Sequence, residues 1–539
     1  MFSSPYPDIT TPKLDIPSFV FATAAKDSVF GNNPNLVALT EATVILSYGG
    51  IKRLTEEFAS GLANKLGLKK GDVIAMLLPN TPYYPVFVLG AHMIGITCAV
   101  ANPAYTYAEI KHLLTLTEAK AILTTIDIVP TVLQALQNCK AAIPREFILT
   151  IDGAADNVTT TMCRDLYKRI LITNFKEAQT TPAFIVLNSG TTGLPKGVII
   201  SHANITSNTL QYLTFLKHDM LMSHFDKTNS YQAHNTCLPY FHIYGHVVIL
   251  LASICRGHHQ IILRKFDLKK HCQLVVKHKA AYAYLVPPIL LMLAKSLIVD
   301  KYKLSSITHI NRGAAPLSKE TQEQAQARIG CHILQMYGLS ETLSLVSRCP
   351  MISSLPTGSI RHLLPSMQCK IIDDSSRRLG ANRIGEICLR GPSVMMATRE
   401  AFDGDGFFYT GEIGYVDANG FYFILDQKKE LIKFKGFSIA PAGLERILVA
   451  HPAVLDAAVI PVYQKKQGTE VPKAYVVLRP SAKNSPRITE EIKLWVAERV
   501  ASYKALRGGI EIVDAIPKSV SGKILRRLLK DCQKQTPKL

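Results

Sequence analysis

Apolar and polar positions alternate along most of the chain in the rhythm of layered α/β structure. The first clear helix is predicted by apolar residues at helical spacing, namely Ile51, Leu54, Phe58, Leu62 and Leu66. Gly67 can end this helix, and the apolar run from Val73 to Leu78 predicts a buried strand after it. A helix followed by an unbroken apolar strand is typical of a sheet covered on both faces. Because the same alternation continues to about residue 350, this region predicts stacked α/β layers.

The least polar long window runs from Tyr83 to Ala101. It contains Pro85, His92 and Thr97, so a buried helix with a following strand explains it better than a membrane span. The first residues carry no basic segment followed by an apolar stretch, so no secretory signal is expected. We therefore expect a soluble intracellular protein without a membrane span.

After residue 350 the apolar runs shorten and are separated by Gly and Pro, which predicts a β-rich subdomain over about 350–425. Its predicted strands are Met367–Ile372, Gly385–Arg390 and Gly420–Leu425. The charged segment Gln427–Glu430 follows, and we place a domain boundary and hinge at 426–430. The sequence thus predicts an N-terminal domain over 1–425, built from two α/β layered subdomains and the β-rich subdomain.

Residues 431–539 predict a small, compact α+β domain. Lys473–Pro480 has the pattern of a strand. One face of a later helix is predicted from Ile492, Trp495, Val496 and Val500.

Composition narrows the classes of function. A chain of 539 residues with 47% hydrophobic and 19% charged residues is globular and excludes intrinsic disorder. Its 61 basic and 41 acidic residues leave a net charge of +20, which favours anionic ligands such as nucleotides. Nucleic acid is not expected, because the basic residues form no stripe interleaved with aromatic residues. The 11 cysteines contain no CxxC pair, so they predict reduced thiols and neither disulfides nor a zinc site.

A Gly-, Ser- and Thr-rich loop, Asn188–Gly197, follows the apolar run Phe184–Leu187. Such a loop suits phosphate oxygens, because small residues expose backbone N–H groups and Lys196 adds a positive charge. It is not a Walker A loop, since Pro195 and Gly197 occupy positions where that motif needs Gly and Ser or Thr. Taken alone, the loop could equally be a surface turn.

Six further segments follow this loop in a fixed order. They are Leu238–Gly245, Asn311–Leu317, Gln335–Thr342, Tyr409–Asp417, Asp426–Phe437 and Pro517–Ile524. Together with the loop they resemble the signature of the adenylate-forming (AMP-binding) superfamily over essentially the whole chain. The segments Phe241–Tyr244 and Ala440–Glu445 look most similar to enzymes of the 4-coumarate–CoA ligase type, especially fungal peroxisomal ones.

This resemblance implies an ATP- and Mg²⁺-dependent acid–CoA ligase with a mobile C-terminal domain. A carboxylate is a poor acyl donor, so it first attacks the α-phosphorus of ATP and forms an acyl-adenylate. The thiol of coenzyme A then displaces AMP. Because negative charge builds up on the phosphates, cations and donors must be in place beforehand.

The resemblance also implies roles for the phosphate-contacting and catalytic residues. Glu341 would hold Mg²⁺, Lys523 would bridge the carboxylate and the α-phosphate, and His242 would be a gate that moves between the half-reactions. The β- and γ-phosphates would be held by Ser189, Gly190, Thr191, Thr192, Gly193 and Lys196, with Ser340 as a further phosphate contact.

Tyr337 would flank adenine. The other residues implied around the nucleotide are Gly313, Ala314, Ala315, Gln335, Met336, Gly338, Glu412 and Gln427. Those implied around the acyl group are Tyr244, Gly313, Met336 and Leu345. Those implied in the thioester step are Lys435, Gly436 and Phe437, with Lys429 as the hinge residue.

Three residues depart from the family pattern. Glu412 stands where an Asp usually holds the ribose hydroxyls, and Gln427 stands where an Arg contacts the ribose. The first change moves a carboxylate by about 1.5 Å, and the second removes a permanent charge. Met336 replaces a glycine beside the acyl group, where its flexible thioether would fill space.

The chain ends in Pro537, Lys538 and Leu539, which is similar to a peroxisomal targeting tripeptide. We therefore expect a peroxisomal import receptor as a partner and the peroxisome as the location. A role in fungal secondary-metabolite (toxin) biosynthesis is one hypothesis. The sequence leaves the acid, the pathway and the oligomeric state open. Two alternatives also stay open: an adenylating enzyme with another acyl acceptor, and a weakly active nucleotide-binding relative.

Overall fold

The protein was analysed as a computed structural model. It describes residues 1–26, 33–137, 139, 143–151, 158–188, 196–219, 232–313, 319–351, 359–396, 399–434, 437–464, 469–482, 487–519 and 522–535. No helix within these ranges is long and apolar enough to cross a membrane.

The first α/β layer is built on a sheet whose central strands are parallel and largely buried. Its strands, in spatial order, are Ile148–Thr150, Ala121–Thr124, Val73–Met76, Thr97–Val100, Pro182–Asn188 and Lys196–Ser201. The last two strands pair antiparallel, and Lys196–Ser201 is an edge strand of this sheet. The helices of this part of the chain are Ile16–Lys26, Tyr48–Asn64, Tyr84–Met93, Tyr107–Thr117, Val129–Gln137, Val158–Thr161, Phe175–Thr180 and His202–His218.

A second, larger sheet holds the other α/β layer. Its parallel strands, in spatial order, are His332–Tyr337, His309–Arg312, Tyr282–Leu285, Ala233–Thr236, His259–Ile262 and Val37–Glu41, followed by antiparallel Val44–Ser47. Its helical segments are Tyr244–Leu251, which is π-helical, then Ala252–Cys255, Leu268–His278, Pro287–Lys295 and Lys319–Ile329. Ligands of such sheets bind beyond the carboxyl ends of the parallel strands. Several candidate site residues come directly after these strand ends in the chain.

The same sheet continues into an antiparallel β-rich part. Its strands are Ser347–Arg348, Ser359–Leu363, Tyr422–Gln427, Phe408–Val416, Gly385–Arg390, Gln368–Ile372, Arg378–Leu379 and Phe2–Ser3. This confirms the β-rich subdomain, although its strands join the larger sheet directly and do not form a separate one.

The C-terminal part folds around its own apolar core, which includes Ile432, Leu444, Val476 and Ile492. Its strands are Ile432–Phe434, Phe437–Ile439, Val454–Gln464, Thr469–Leu478 and Ile510–Ile512. Its helices are Pro441–Val449, Ile488–Ala497 and Arg526–Gln535. The short 3₁₀ turns of the chain are Arg145–Phe147, Val299–Lys301, Ser340–Thr342, Arg399–Ala401, Lys428–Glu430, Pro480–Ala482 and Ser502–Lys504.

The α/β fold with a large N-terminal and a small C-terminal part is confirmed. The residue boundaries of the domains, with a hinge at 426–430, stay a prediction. Two details were wrong: Leu66 lies beyond the end of helix Tyr48–Asn64, and Val500 lies beyond the end of helix Ile488–Ala497, although both still pack on their cores. The reason is that an apolar contact alone does not show whether a residue is inside a helix or just after it.

Candidate active site

The predicted phosphate loop connects two antiparallel strands. Asn188 and Lys196 face each other across strands Pro182–Asn188 and Lys196–Ser201, and they bracket the loop. Lys196 is exposed at the start of its strand. The predicted phosphate contacts Ser189, Gly190, Thr191, Thr192 and Gly193 lie outside the described residues.

Asn204 ties this hairpin to the rest of the site. It is the third residue of helix His202–His218 and forms a reciprocal cap with Ser201, the residue before the helix. Its side-chain amide also donates to the carbonyl oxygens of Pro392 (3.0 Å) and Val394 (2.8 Å). The next residue, Met395, donates its backbone N–H to the carbonyl oxygen of Glu341 at 2.8 Å. A short segment thus links the hairpin to the residue predicted to hold the metal.

Glu341 lies in the 3₁₀ turn Ser340–Thr342, just after strand His332–Tyr337. The turn folds back tightly: a Cβ on Gly338 would lie 1.9 Å from the carbonyl oxygen of Ser344, so no other residue fits there. Ser344 itself has a φ of 87°, a strained value for a residue with a side chain. Such strain persists only where the surroundings enforce it, which is typical of functional loops.

A magnesium ion fits the donor chemistry around Glu341. Mg²⁺ is usually held by one or two carboxylates together with substrate phosphates and water. No cluster of three or more His, Cys, Asp or Glu side chains able to hold a metal occurs in the described part of the chain.

Tyr337, the predicted adenine contact, ends strand His332–Tyr337. Burial raises the pKa of its hydroxyl well above the usual value, and the negative charges of Glu412 and Glu341 raise it further. The hydroxyl oxygen is buried without a hydrogen-bond partner. The structure therefore brings the predicted adenine, ribose and metal residues into one neighbourhood.

The two residues predicted to contact the ribose, Glu412 and Gln427, contact each other. Glu412 and Gln427 are opposite each other on strands Phe408–Val416 and Tyr422–Gln427. Gln427 Nε2 donates to Glu412 Oε1 at 2.7 Å, and Glu412 is buried. Gln427 thus holds the longer carboxylate in one orientation.

The loop that carries His242 is fixed by a buried residue of the first α/β layer. The Asn80 side chain donates to the carbonyl oxygen of Leu238 at 2.9 Å and accepts from the N–H of Tyr240 at 2.8 Å. After this loop the chain enters the π-helical segment Tyr244–Leu251. π-Helical turns are rare and frequently lie at functional sites.

His242 is held in a single neutral form. Its Nδ1 accepts the N–H of Tyr244 at 3.2 Å, so the proton resides on Nε2. Burial, together with the smaller effect of the positive charge of Lys523, lowers the pKa of His242 to about 4. The imidazole is therefore neutral at physiological pH, and Lys523 lies close enough to affect it.

Lys523 sits on a tight turn of the C-terminal part. Ser519 donates its N–H to the carbonyl oxygen of Lys523 at 2.8 Å, and Lys523 donates its N–H to Ser519 Oγ at 3.1 Å. Gly522 has a φ of +83°, which glycine adopts at little cost. A Cβ on Gly522 would lie 3.0 Å from Pro288 Cδ. The turn therefore packs directly on the start of helix Pro287–Lys295, and Lys523 is exposed there.

The predicted acyl-group residues are adjacent. Tyr244 Oη donates to Met336 Sδ at 3.5 Å. A Cβ on Gly313 would lie 3.7 Å from Tyr244 Cζ and 3.6 Å from the carbonyl oxygen of Met336. Leu345 is fully buried in the same core cluster. Met336 is itself 4% exposed, so it occupies the space that a glycine would leave open.

The predicted hinge residue Lys429 lies in the turn Lys428–Glu430, between the two parts of the chain. Just before it, Asp426 accepts the N–H of Ala442 at 3.0 Å, at the start of helix Pro441–Val449. Burial raises the pKa of Asp426, while this hydrogen bond lowers it. Among the predicted thioester residues, Phe437 begins strand Phe437–Ile439, while Lys435 and Gly436 lie outside the described residues.

Ala314 and Ala315, like the terminal residues Pro537, Lys538 and Leu539, also lie outside the described residues. The sequence analysis missed two side chains that shape the site: Asn80 and Asn204. Asn204 had a local signal, because Ser201 three residues earlier forms a capping pair with it. Asn80 had none, since its partners Leu238 and Tyr240 are distant in sequence.

Comparison with known proteins gives the family. The family of AMP-binding enzymes matches residues 27–397, and the AMP-binding enzyme C-terminal domain matches residues 443–523. Probable 4-coumarate–CoA ligase 1 of Dictyostelium discoideum is 36% identical over 560 residues, covering 98% of this chain and 97% of the relative. 4-Coumarate–CoA ligase 1 of Petroselinum crispum is 35% identical over 554 residues, covering 98% and 96%.

Solved structures agree. The o-succinylbenzoate CoA synthetase (MenE) of Bacillus subtilis, in complex with its acyl-adenylate intermediate, superposes with a TM-score of 0.77 at 26% identity, covering 96% of this chain and 98% of that one. ATP-bound MatB from Rhodopseudomonas palustris gives a TM-score of 0.83 at 24% identity, covering 97% and 100%, which shows a shared fold. The chain belongs to the AMP-binding enzyme family. Within it, the chain groups with the AMP-forming acid–CoA ligases, as its motifs predict.

Proposed function

We propose that this enzyme activates a carboxylic acid as an acyl-adenylate and transfers the acyl group to coenzyme A, with Lys523 and His242 facing each other across the reacting groups. The observation that carries this proposal is the packing of the Lys523 turn. Gly522 lies against Pro288, and the charge of Lys523 contributes to the lowered pKa of His242. Both observations support a role for this cation of the C-terminal part at the N-terminal site.

In the first half-reaction two anions must approach each other, the carboxylate of the acid and the α-phosphate of ATP. Lys523 lies between them, reduces their repulsion and aligns them for in-line attack. Lys196, at the end of the phosphate loop, stabilises the charge that builds up on the leaving pyrophosphate. The Glu412–Gln427 pair holds the ribose.

His242 acts through its shape and its single tautomer. Because its ring is neutral, it adds no charge beside Lys523, and its Nε2–H can donate to an acyl or phosphate oxygen. For the second half-reaction the C-terminal part rotates about Lys429, which withdraws Lys523 and brings in the segment 435–437. The thiolate of coenzyme A then attacks the acyl carbon, and AMP leaves.

Magnesium is proposed as the metal, bound to Glu341. When bound, it would neutralise charge on the β- and γ-phosphates. We propose Mg²⁺ because Glu341 offers a carboxylate, and Mg²⁺ is usually held by one or two carboxylates together with the phosphate oxygens of a substrate.

An aromatic acid is the first substrate class to test, because curated relatives carry the name 4-coumarate–CoA ligase. Medium-chain and polyunsaturated acids follow. The same proposal includes similarity to fungal peroxisomal members and import into the peroxisome through Pro537–Leu539. It also includes a role in secondary-metabolite biosynthesis.

The test is a panel of carboxylic acids incubated with ATP and Mg²⁺, with and without coenzyme A. Pyrophosphate release and the mass of any CoA thioester are both recorded. We expect a thioester with at least one acid and little sustained pyrophosphate release without coenzyme A. Adenylate formation without any thioester would instead indicate another acyl acceptor, and no pyrophosphate release with any acid would indicate a weakly active nucleotide-binding relative.

A further inference from the structure

Asn80 joins the two α/β layers through its side-chain amide. It comes shortly after strand Val73–Met76 of the first sheet and is only 3% exposed. Its Nδ2 donates to the carbonyl oxygen of Leu238 at 2.9 Å, and its Oδ1 accepts the N–H of Tyr240 at 2.8 Å. Both partners follow strand Ala233–Thr236 of the larger sheet. One buried side chain of the first layer therefore binds the loop of the second layer that leads to His242.

The bond from Tyr240 to Asn80 continues, through one peptide group, to His242. The Tyr240 N–H belongs to the peptide group whose carbonyl oxygen is that of Pro239. This oxygen accepts the N–H of His242 at 3.2 Å. Because a peptide group is planar, the direction of its N–H fixes the direction of its carbonyl oxygen. Asn80 thus holds one side of this peptide group, and the backbone of His242 binds to the other side.

Asn80 also holds the peptide group before Pro239. A proline has no N–H, so this group offers only the carbonyl oxygen of Leu238, and Asn80 Nδ2 donates to it. A buried backbone group that loses its hydrogen-bond partner is unfavourable. If the amide of Asn80 is removed, the Leu238 carbonyl and the Tyr240 N–H both lose this partner, and we expect the turn around Pro239 to move.

A movement of this turn would be passed on to the imidazole of His242. A Cβ on Gly245 would lie 2.1 Å from the carbonyl oxygen of Pro239, so the turn packs tightly on the residues that follow. The carbonyl oxygen of His242 accepts the N–H of His246 at 2.9 Å, and its Nδ1 accepts the N–H of Tyr244 at 3.2 Å. The backbone and the ring of His242 are therefore fixed relative to the Pro239 turn.

We propose that Asn80 is a positioning residue for His242, which holds the peptide group between Pro239 and Tyr240 and thereby keeps the imidazole in place at the reacting groups. This inference rests on the proposed acid–CoA ligase function, in which His242 donates through its Nε2–H. An amide suits this role because it carries a donor and an acceptor side by side. Asn80 acts through the loop and has no direct role in binding the nucleotide.

The proposal separates two kinetic parameters. Displacement of a catalytic group by about 1 Å can lower a rate about a hundredfold. The kcat of an Asn80 variant should therefore fall. The residues predicted at the nucleotide, such as Tyr337, Glu412 and Lys196, lie on other strands, so the KM for ATP should change little.

The experiment is a double-mutant cycle of the wild type, Asn80→Ala, His242→Ala and the double variant. CoA-thioester formation is followed by mass, which also detects slow variants, with 4-coumarate or with the acid of the panel that reacts fastest. Asn80→Ala should lower kcat about tenfold or more and leave the KM for ATP within about twofold. In the His242→Ala background the same substitution should lower kcat less than about twofold, because no imidazole is left to displace.

Ser60→Ala is the matched control. Ser60 is also a buried side chain of the first α/β layer that holds a distant segment, since its Oγ donates to the carbonyl oxygen of Asp165 at 2.6 Å. This variant should lower the thermal midpoint and leave kcat unchanged. If Asn80→Ala does not fold, the cycle is repeated with Asn80→Asp, which keeps an acceptor for Tyr240. Its loss of kcat should likewise disappear in the His242→Ala background.

The inference is overturned if the Asn80 substitution lowers kcat by the same factor in both backgrounds, because its effect would then not pass through His242. It is also overturned if kcat stays constant, or if His242→Ala has the kcat of the wild type. Absence of a CoA thioester from every acid with the wild-type enzyme, in contrast, contradicts the proposed function itself.

Discussion

Gln427 donates a hydrogen bond to Glu412 across two antiparallel strands, with 2.7 Å between Nε2 and Oε1. Each residue alone is a departure from the family pattern. Together they are complementary, because the longer carboxylate of Glu412 reaches the shorter side chain of Gln427. An Arg at position 427 would bring a longer side chain to a carboxylate that already extends further. The two substitutions are therefore best understood as one coupled change.

This coupling predicts the result of a double-mutant cycle. Gln427→Ala removes the hydrogen bond that orients a buried carboxylate. Because hydrogen bonds to charged groups are worth about 1.5–3 kcal/mol, the KM for ATP should rise about tenfold or more. Glu412→Asp and Gln427→Arg should each have a similar effect, and the double variant Glu412→Asp/Gln427→Arg should recover most of the loss. Purely additive effects would mean that the two residues act independently.

Lys523→Ala should abolish adenylate formation and spare the conversion of a supplied acyl-adenylate to the CoA thioester. The positive charge is needed only while the two anions are brought together. Pyrophosphate release reports the first step and thioester mass reports the second. Lys493→Ala, which removes an exposed lysine of helix Ile488–Ala497, should leave both steps unchanged. If Lys523→Ala lowered the rates of both half-reactions equally, the proposal that Lys523 acts only in adenylate formation would be wrong.

Met336→Gly should shift preference toward a bulkier or longer acid. Met336 is buried beside Tyr244, so its removal opens space at the predicted acyl group. One methylene of fit is worth about 1–3 kcal/mol, so the ratio of kcat/KM between two acids should change about tenfold or more. The KM for ATP should stay nearly constant. If the substrate ratio is constant and the KM for ATP rises, Met336 supports the nucleotide instead.

Removal of Pro537–Leu539 should release a fluorescent fusion of the protein from peroxisomes into the cytosol. A terminal tripeptide contributes little to a core, so the activity of the purified enzyme should not change. Fluorescence microscopy with a peroxisomal marker gives the answer. A punctate pattern that persists after truncation would show that another signal is used.

Acid should destabilise the fold through its buried histidines. Burial lowers the pKa of His92 to about 4, of His246 to about 3 and of His271 to about 4. The unfolded chain titrates these groups near pH 6.5. Below that pH the unfolded state binds more protons, so stability is full above about pH 6.5 and is lost as the pH falls toward 4. One such histidine contributes about 2 kcal/mol of this loss by pH 5.

His246→Phe isolates one of these contributions. The His246 ring packs edge-on against Phe184 with 4.5 Å between ring centroids, so a phenyl ring can take its place. The urea midpoint of this variant should fall less between pH 7 and pH 5 than that of the wild type. An identical decrease in both proteins would show that His246 does not titrate on unfolding.

Local sequence was sufficient for the α/β layers and for the motif positions. Helix Tyr48–Asn64 and strands Val73–Met76 and Gly385–Arg390 appear where the apolar periodicity predicts them. These elements depend on neighbours in the sequence, since periodicity decides which face is buried. The phosphate loop and the segment before Lys523 were recognised from short runs of Gly, Ser and Lys, and the roles of their residues stay predictions.

The tertiary structure decided which of these residues meet. Three contacts join segments that come together only when strands pair or the C-terminal part packs. They are Glu412 with Gln427, Asn80 with the His242 loop, and Gly522 with Pro288. The burial of Arg312 without a counter-ion among the described residues has the same origin. Its charge is plain in the sequence, but whether a carboxylate lies opposite it depends on every element packed around that strand end. Composition and periodicity carry no information on such distant pairings, so only the folded chain shows them.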